Sequence, residues 1–184
     1  MRRHGNAEPG LAKGRCPSLV YAWQRRADGG PMPDPMHRTI RPARKGDGSQ
    51  LFEMRRQAIL AAGSPRVARQ WADAHPAEWI FEVIAKRRVW VFETTSELVG
   101  WVSATGNQVD ALYTRPECFR QGIGSALLAF AEEQLRTHGF CHVVLNASIN
   151  AESFYRSRGY SPNGERHTED SSDQGSLPMR KALA

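Results

Sequence analysis

The stretch Phe119–Arg136, FRQGIGSALLAFAEEQLR, sets two glycines two residues apart directly ahead of an amphipathic run. Leu127, Leu128, Ala131 and Leu135 recur at helical spacing while Glu132, Glu133 and Arg136 fall on the other side. That pattern predicts a helix over 125–138, closed by Gly139 after His138. Just upstream, QVDALYT has the composition of a strand. A strand, the loop RPECFRQGIG and a helix therefore follow one another directly, at a turn where the backbone must do something a side chain would block. A helix start offers unpaired N–H groups and about half a positive charge, so it attracts phosphate. With no side chain at Gly122 or Gly124, an anion can approach the amides of Gln121, Gly122, Ile123, Gly124 and Ser125. A tight strand-to-helix turn with no ligand is the plainer account of a lone GxG. Two other phosphate loops are excluded. Ser125-Ala126 stands where a P-loop needs Lys-Ser/Thr, and Leu127 stands where the dinucleotide fingerprint needs its third small residue.

The remaining elements read as a mixed α/β domain. TIRPAR is a first strand, and the turn KGDGSQ supplies Asp47 or Ser49 as a helix cap. Leu51, Phe52, Ile59 and Leu60 mark a helix over 49–62, which Gly63-Ser64-Pro65 breaks. A second helix covers 66–75, and a short helical segment follows Pro76 through Trp79 and Val83. VWVFET and LVGWVSA form a hairpin, and QVDALYT is the third consecutive strand. HVVLNA is a buried strand, a short helix runs from Ala151 to Gly159, and LPMRKAL is a terminal strand.

Charge and composition bound the function. Residues 1–36 carry six Arg/Lys against three acids, half of the net charge of +6. They show no period, so they are expected to be a disordered basic extension ahead of one domain over 37–184. A translation start at Met36 instead of Met1 would account for the contrast. No basic stripe marks the domain, which argues against a nucleic-acid partner. No apolar run approaches the roughly 18 residues of a membrane span, and no signal core follows the N-terminus. The cytoplasm is the expected compartment. Cys16, Cys118 and Cys141 lack paired spacing, which favours free thiols. His138, Cys141 and His142 match metal spacing only loosely, so no metal is expected.

The segment VDALYTRPECFRQGIGSALL resembles the cofactor-binding motif of the GNAT superfamily of acyl-CoA-dependent N-acyltransferases. ASINAESFYRSRGY resembles that family's following segment, while TIRPARKGD and MRKAL resemble its first and last strands. The likeness spans residues 37–184. Two positions depart from it: Phe119 stands where Arg or Gln is usual, and Ser148 where many members have Asn.

The resemblance implies a GNAT-like mixed, mostly antiparallel twisted sheet with helices on both faces. It also implies transfer of an acetyl group from acetyl-CoA to a primary amine, on a small molecule or a protein, by direct attack in a ternary complex. Leu112, Tyr113 and Thr114 would present backbone groups to the pantetheine arm. A backbone N–H of Leu112 or Tyr113 would stabilise the developing oxyanion. Gln121 through Ser125 would hold the diphosphate, Arg120 would add charge beside Phe119, and Ser148 would stand next to the cofactor arm. Tyr155 takes the family's acid position, returning a proton to the CoA sulfur; its plainer role is a core aromatic beside Phe154. Asp110, an acid in a strand where acids are depleted, is the candidate base, with a salt bridge as the alternative. Trp71, Trp79, Trp90 and Trp101 either line an acceptor pocket or pack in the core. A non-catalytic acyl-CoA-binding sensor is the alternative function. The acceptor is not legible, and the oligomeric state is open, a homodimer among the options.

Overall fold

The central strands are apolar on both sides, and the architecture follows from the need to cover both. In β2 (Arg88–Glu93) Val89 and Val91 face one layer while Trp90 and Phe92 face the other, and all four are buried. The computed structural model describes residues 38–62, 65–95, 97–167 and 175–183. The segment 1–36, with Cys16 and Met36, lies outside the described residues, as do Gly63 and Ser64.

Along the chain, β1 (Thr39–Pro42) is followed by α1 (Gly48–Ala62), α2 (Pro65–Ala72), α3 (Trp79–Lys86) and then β2. Strands β3 (Leu98–Thr105) and β4 (Gln108–Thr114) lead to α4 (Ile123–Thr137) and β5 (His142–Ser148). The chain ends with α5 (Glu152–Arg156), β6 (Ser161–Pro162) and β7 (Ser176–Ala182). Seven strands form one sheet in the order β1-β2-β3-β4-β5-β7-β6. Every neighbouring pair is antiparallel except β4 and β5, which are parallel. The mixed, mostly antiparallel sheet with helices on both faces is thus as expected. Helix α4 starts at Ile123, so the second glycine lies inside the helix. The two-residue β6 was not anticipated, because two residues carry no period.

On one face, α4 packs Leu127, Leu128, Ala131 and Leu135 against Val102, Val143, Leu145 and Met179. On the other, α1 and α3 bring Leu51, Met54, Ile80 and Val83 onto Val91 and Trp101. Trp101 is fully buried, and its indole N–H donates to the Leu51 carbonyl at 3.1 Å. Burial of the ring therefore leaves no orphaned donor. Arg41 of β1 ties three elements together, donating to Glu93 at 2.8 Å and to Asp47 at 2.8 Å. Asp47 also accepts the Arg44 amide at 2.7 Å, which fixes the turn into α1. Gly100 in β3 gives α4 its close approach: a Cβ there would stand 2.8 Å from Leu127 and 2.9 Å from Ile123.

Candidate active site

Parallel strands need evenly slanted hydrogen bonds, and β4 and β5 sustain them only briefly. Their register consists of Gln108↔Val144 and Val109↔Leu145. Beyond Val109, β4 stays paired to β3 through Thr114, while β5 runs on beside β7 through Ser148. The sheet therefore opens between residues 110–114 and 146–148. By the alternation of a strand, about half the peptide groups along that stretch of β4 face the opening. Leu112, Tyr113 and Thr114 lie in this run, and Ser148 stands exposed at the end of β5 on the opposite side.

At the wide end of the opening the chain enters α4. Gly122 is the N-cap with φ 82°, a conformation that glycine adopts without strain, and it supplies no capping side chain. Just ahead, Arg120 takes φ 61°, which is uncommon for a residue with a side chain. Gln121 folds its side chain back to the Glu117 carbonyl at 3.0 Å, so its amide group does not cap the helix. The amide of Ala126 donates to Gly122 O at 3.0 Å, so the N–H groups of Ile123, Gly124 and Ser125 precede the first intrahelical bond. No acid lies in the first turn. The mouth is consequently electropositive and lined by main chain. Cys118 in the loop is buried in the core, whereas Phe119 is exposed.

Tyr155 in α5 is buried, with its ring edge-on to Phe154 at 5.1 Å and to Tyr160 at 5.6 Å. Burial, and secondarily the Tyr113 phenol, push its pKa far up, while the Arg158 guanidinium opposes them. Tyr113 of β4 thus acts electrostatically on Tyr155 of α5. A phenol in that setting holds its proton at neutral pH, the state from which an acid must start. Tyr113 is raised by burial and drawn partway back by Arg55 of α1, whose guanidinium hydrogen-bonds to it. Arg55 also donates to the Ala72 carbonyl at 3.1 Å and lies 5.4 Å from the Trp79 ring. One buried cation thereby braces three helices against β4.

Asp110 sits at the vertex of the opening. The register shifts between Ser103↔Ala111 and Ala104↔Val109, so Asp110 is the extra residue of a bulge. Thr105 donates to one carboxylate oxygen at 2.7 Å, Gln108 donates to the other at 3.3 Å, and Arg87 forms an ion pair at 3.4 Å. Of the tryptophans, Trp90 and Trp101 are core residues and Trp79 stacks on His75 at 4.4 Å; the Trp71 side chain lies outside the described set. Among the described residues no cluster of three metal-ligating side chains occurs. A shallow pocket of about 230 Å³ opens on the α1 side, lined by Ser49, Gln50, Glu53, Met54, Gln57 and Arg115. It is distinct from the β4–β5 gap.

Sequence reasoning missed Arg158. Its guanidinium carbon lies 3.7 Å from the Phe154 ring centroid, and it donates to the Phe154 carbonyl at 2.8 Å and to Ser125 Oγ in α4. The signal was present in FYRSRGY, since Phe154 and Arg158 stand at i, i+4, the spacing that brings side chains together on a helix.

The chain has known relatives in sequence and in fold. Residues 50–183 match the model described as the acetyltransferase (GNAT) domain. The Escherichia coli N-acetyltransferase YafP is 30% identical over 125 residues, covering 66% of this chain and 79% of that protein. The peptidyl-lysine N-acetyltransferase YjaB of Salmonella typhimurium is 26% identical over 132 residues, covering 71% and 88% respectively. Among solved structures, PaiA N-acetyltransferase from Thermoplasma acidophilum, in complex with coenzyme A, superposes with a TM-score of 0.66. That match is at 21% identity over 80% of this chain and 99% of PaiA. With its split sheet, its glycine-started helix and these relatives, the chain belongs to the GNAT family of acetyltransferases.

Proposed function

We propose that the chain moves an acetyl group from acetyl-CoA to a primary amine, on a small molecule or a protein, by direct attack in a ternary complex. The observation that carries this reading is the gap between β4 and β5 ending at an electropositive helix mouth. The residues present fit the donor. The left-handed Gly122 and the uncapped amides of Ile123, Gly124 and Ser125 suit a diphosphate, with Gln121 and Arg120 at the rim. The bond from the Arg115 amide to Val99 O sets the alternation along β4. Leu112 and Thr114 therefore turn their main-chain groups toward an amide-bearing arm in the gap, with Ser148 across from them, while Tyr113 between them pairs with Trp101 of β3. The donor supplies an activated acyl carbon when bound.

The chain's own groups then have few tasks. Of the two amides considered, that of Tyr113 is turned to Trp101 of β3, and that of Leu112 is available to the carbonyl oxygen as negative charge develops there. As the amine's N–C bond forms and the C–S bond breaks, Tyr155 Oη gives its proton to the departing thiolate. The proton the amine sheds passes to solvent water, from which the phenol is restored. Asp110 has both carboxylate oxygens occupied by Thr105, Gln108 and Arg87, so this reading assigns it the shaping of the bulge rather than direct proton abstraction. One relative is a peptidyl-lysine acetyltransferase, which makes a lysine side chain the first acceptor to try. Calorimetric titration with acetyl-CoA, followed by thiol release against a panel of amines and lysine peptides, tests the proposal. Saturable binding with acceptor-dependent thiol release supports it, and indifference to CoA at millimolar concentration overturns it.

A further inference from the structure

Resting on that reading, we infer that Arg158 is a donor-binding residue that pairs with the diphosphate of the cofactor. Its surroundings are unusual for a cation. The side chain is half-buried, and its contacts are the Phe154 carbonyl at 2.8 Å, the Ser157 hydroxyl at 2.9 Å, the Ser125 hydroxyl and the face of Phe154. Among the described residues all of these partners are neutral. The cation also stands at the wrong end of a helix. It reaches Ser125 in the first turn of α4, where aligned peptide dipoles already concentrate positive charge and no acid offsets them. Two sources of positive potential, brought together from α4 and from the end of α5, have no negative group between them. A bound dianion resolves that repulsion.

The geometry also fixes how the cation is held. Phe154 packs beside Gly124, since a Cβ there would lie 3.5 Å from its ring, and Arg158 stacks on the same ring. Phe154 therefore carries the guanidinium up to the helix mouth. Because Ser125 Oγ accepts from Arg158, its own proton is free to be donated onward to a phosphate oxygen. Arg158 opposes the upward shift of the Tyr155 hydroxyl, so the charge of the same cation is felt at the acid as well as at the helix mouth.

The test is direct binding of CoA and of 3′-dephospho-CoA by calorimetry, which needs no acceptor. Arg158→Gln is expected to weaken both ligands by about tenfold, Arg158→Lys to recover most of that loss, and Ser125→Ala to cost about threefold. Thermal melting of each variant confirms that it is folded. A residue that merely braces α5 against α4 would not be rescued by lysine, which cannot reproduce the forked contacts. Binding by Arg158→Lys as weak as that of Arg158→Gln therefore overturns the inference. So does unchanged affinity in Arg158→Gln, or a loss confined to CoA, which would move the contact to the 3′-phosphate. If wild type itself ignores CoA, the acetyl-transfer reading falls first. If wild type binds and the variants match it, only the role of Arg158 falls.

Discussion

A phenol that keeps its proton and a carboxylate that keeps its partners give opposite expectations on mutation. Tyr155→Phe should lower kcat by about a hundredfold or more while leaving the KM for acetyl-CoA nearly unchanged, the pattern of a lost general acid. Asp110→Asn should instead retain the pH–rate profile and lower the melting temperature, by the equivalent of about 1–3 kcal/mol for a disrupted half-buried network. A profile that loses its acidic limb in Asp110→Asn would return the proton-accepting role to this residue. His75 gives a pH dependence of stability. Burial, then Arg55 and Arg87, lower its pKa below the ordinary histidine value. The unfolded chain thus binds a proton before the native one does. Stability is full above about pH 6.5 and falls as the pH drops below that toward the native pKa. Thermal melts between pH 7.5 and 5.5 should show this loss in wild type and less of it in His75→Gln. At this scale the motif singles out Tyr155 by its position, and burial in the core was the other reading the sequence offered for it. Arg158 and Arg55 escaped because their meaning lies in partners that folding brings from other elements.

Helix α4 shows how one small residue sets the placement of a whole element. Its contact with β3 depends on Gly100, where any Cβ would overlap Leu127 and Ile123. Gly100→Ala is expected to destabilise the fold by about 1–3 kcal/mol through overpacking. Because α4 would be pushed outward with its N-terminus, the affinity for CoA should fall as well. Denaturant unfolding and calorimetry on the same variant check both effects. The helices and long strands were readable from their spacing, and α4 most clearly because both its faces are patterned. Gly122 was readable as a turn residue, although its left-handed φ was not. The bulge at Asp110 was hidden, since one extra residue in a strand alters the register without altering composition. An acid in a strand was the visible trace of it.

At the scale of the molecule, the legible part was the sheet with its two covered faces, inferred largely from one motif and its downstream partner. The arrangement of α1 to α3 was not, because it is built from cross-element contacts such as Arg55 with Ala72, Trp79 and Tyr113. The brevity of the β4–β5 register also has a mechanical consequence. Among the described residues, two register pairs and the bonds of Asn107 with Val144 and His142 join β1–β4 to β5–β7 in the plane of the sheet, although a shared core lies beneath on the α4 side. Such a seam is expected to let the two sides exchange their amide hydrogens independently. A ligand lodged there touches both, so deuterium uptake should slow together in β4 and β5 when CoA is added, while β1 and β7 change little. Uptake that slows only in the loop around Gly122 would mean that the two halves remain mechanically separate with the ligand in place.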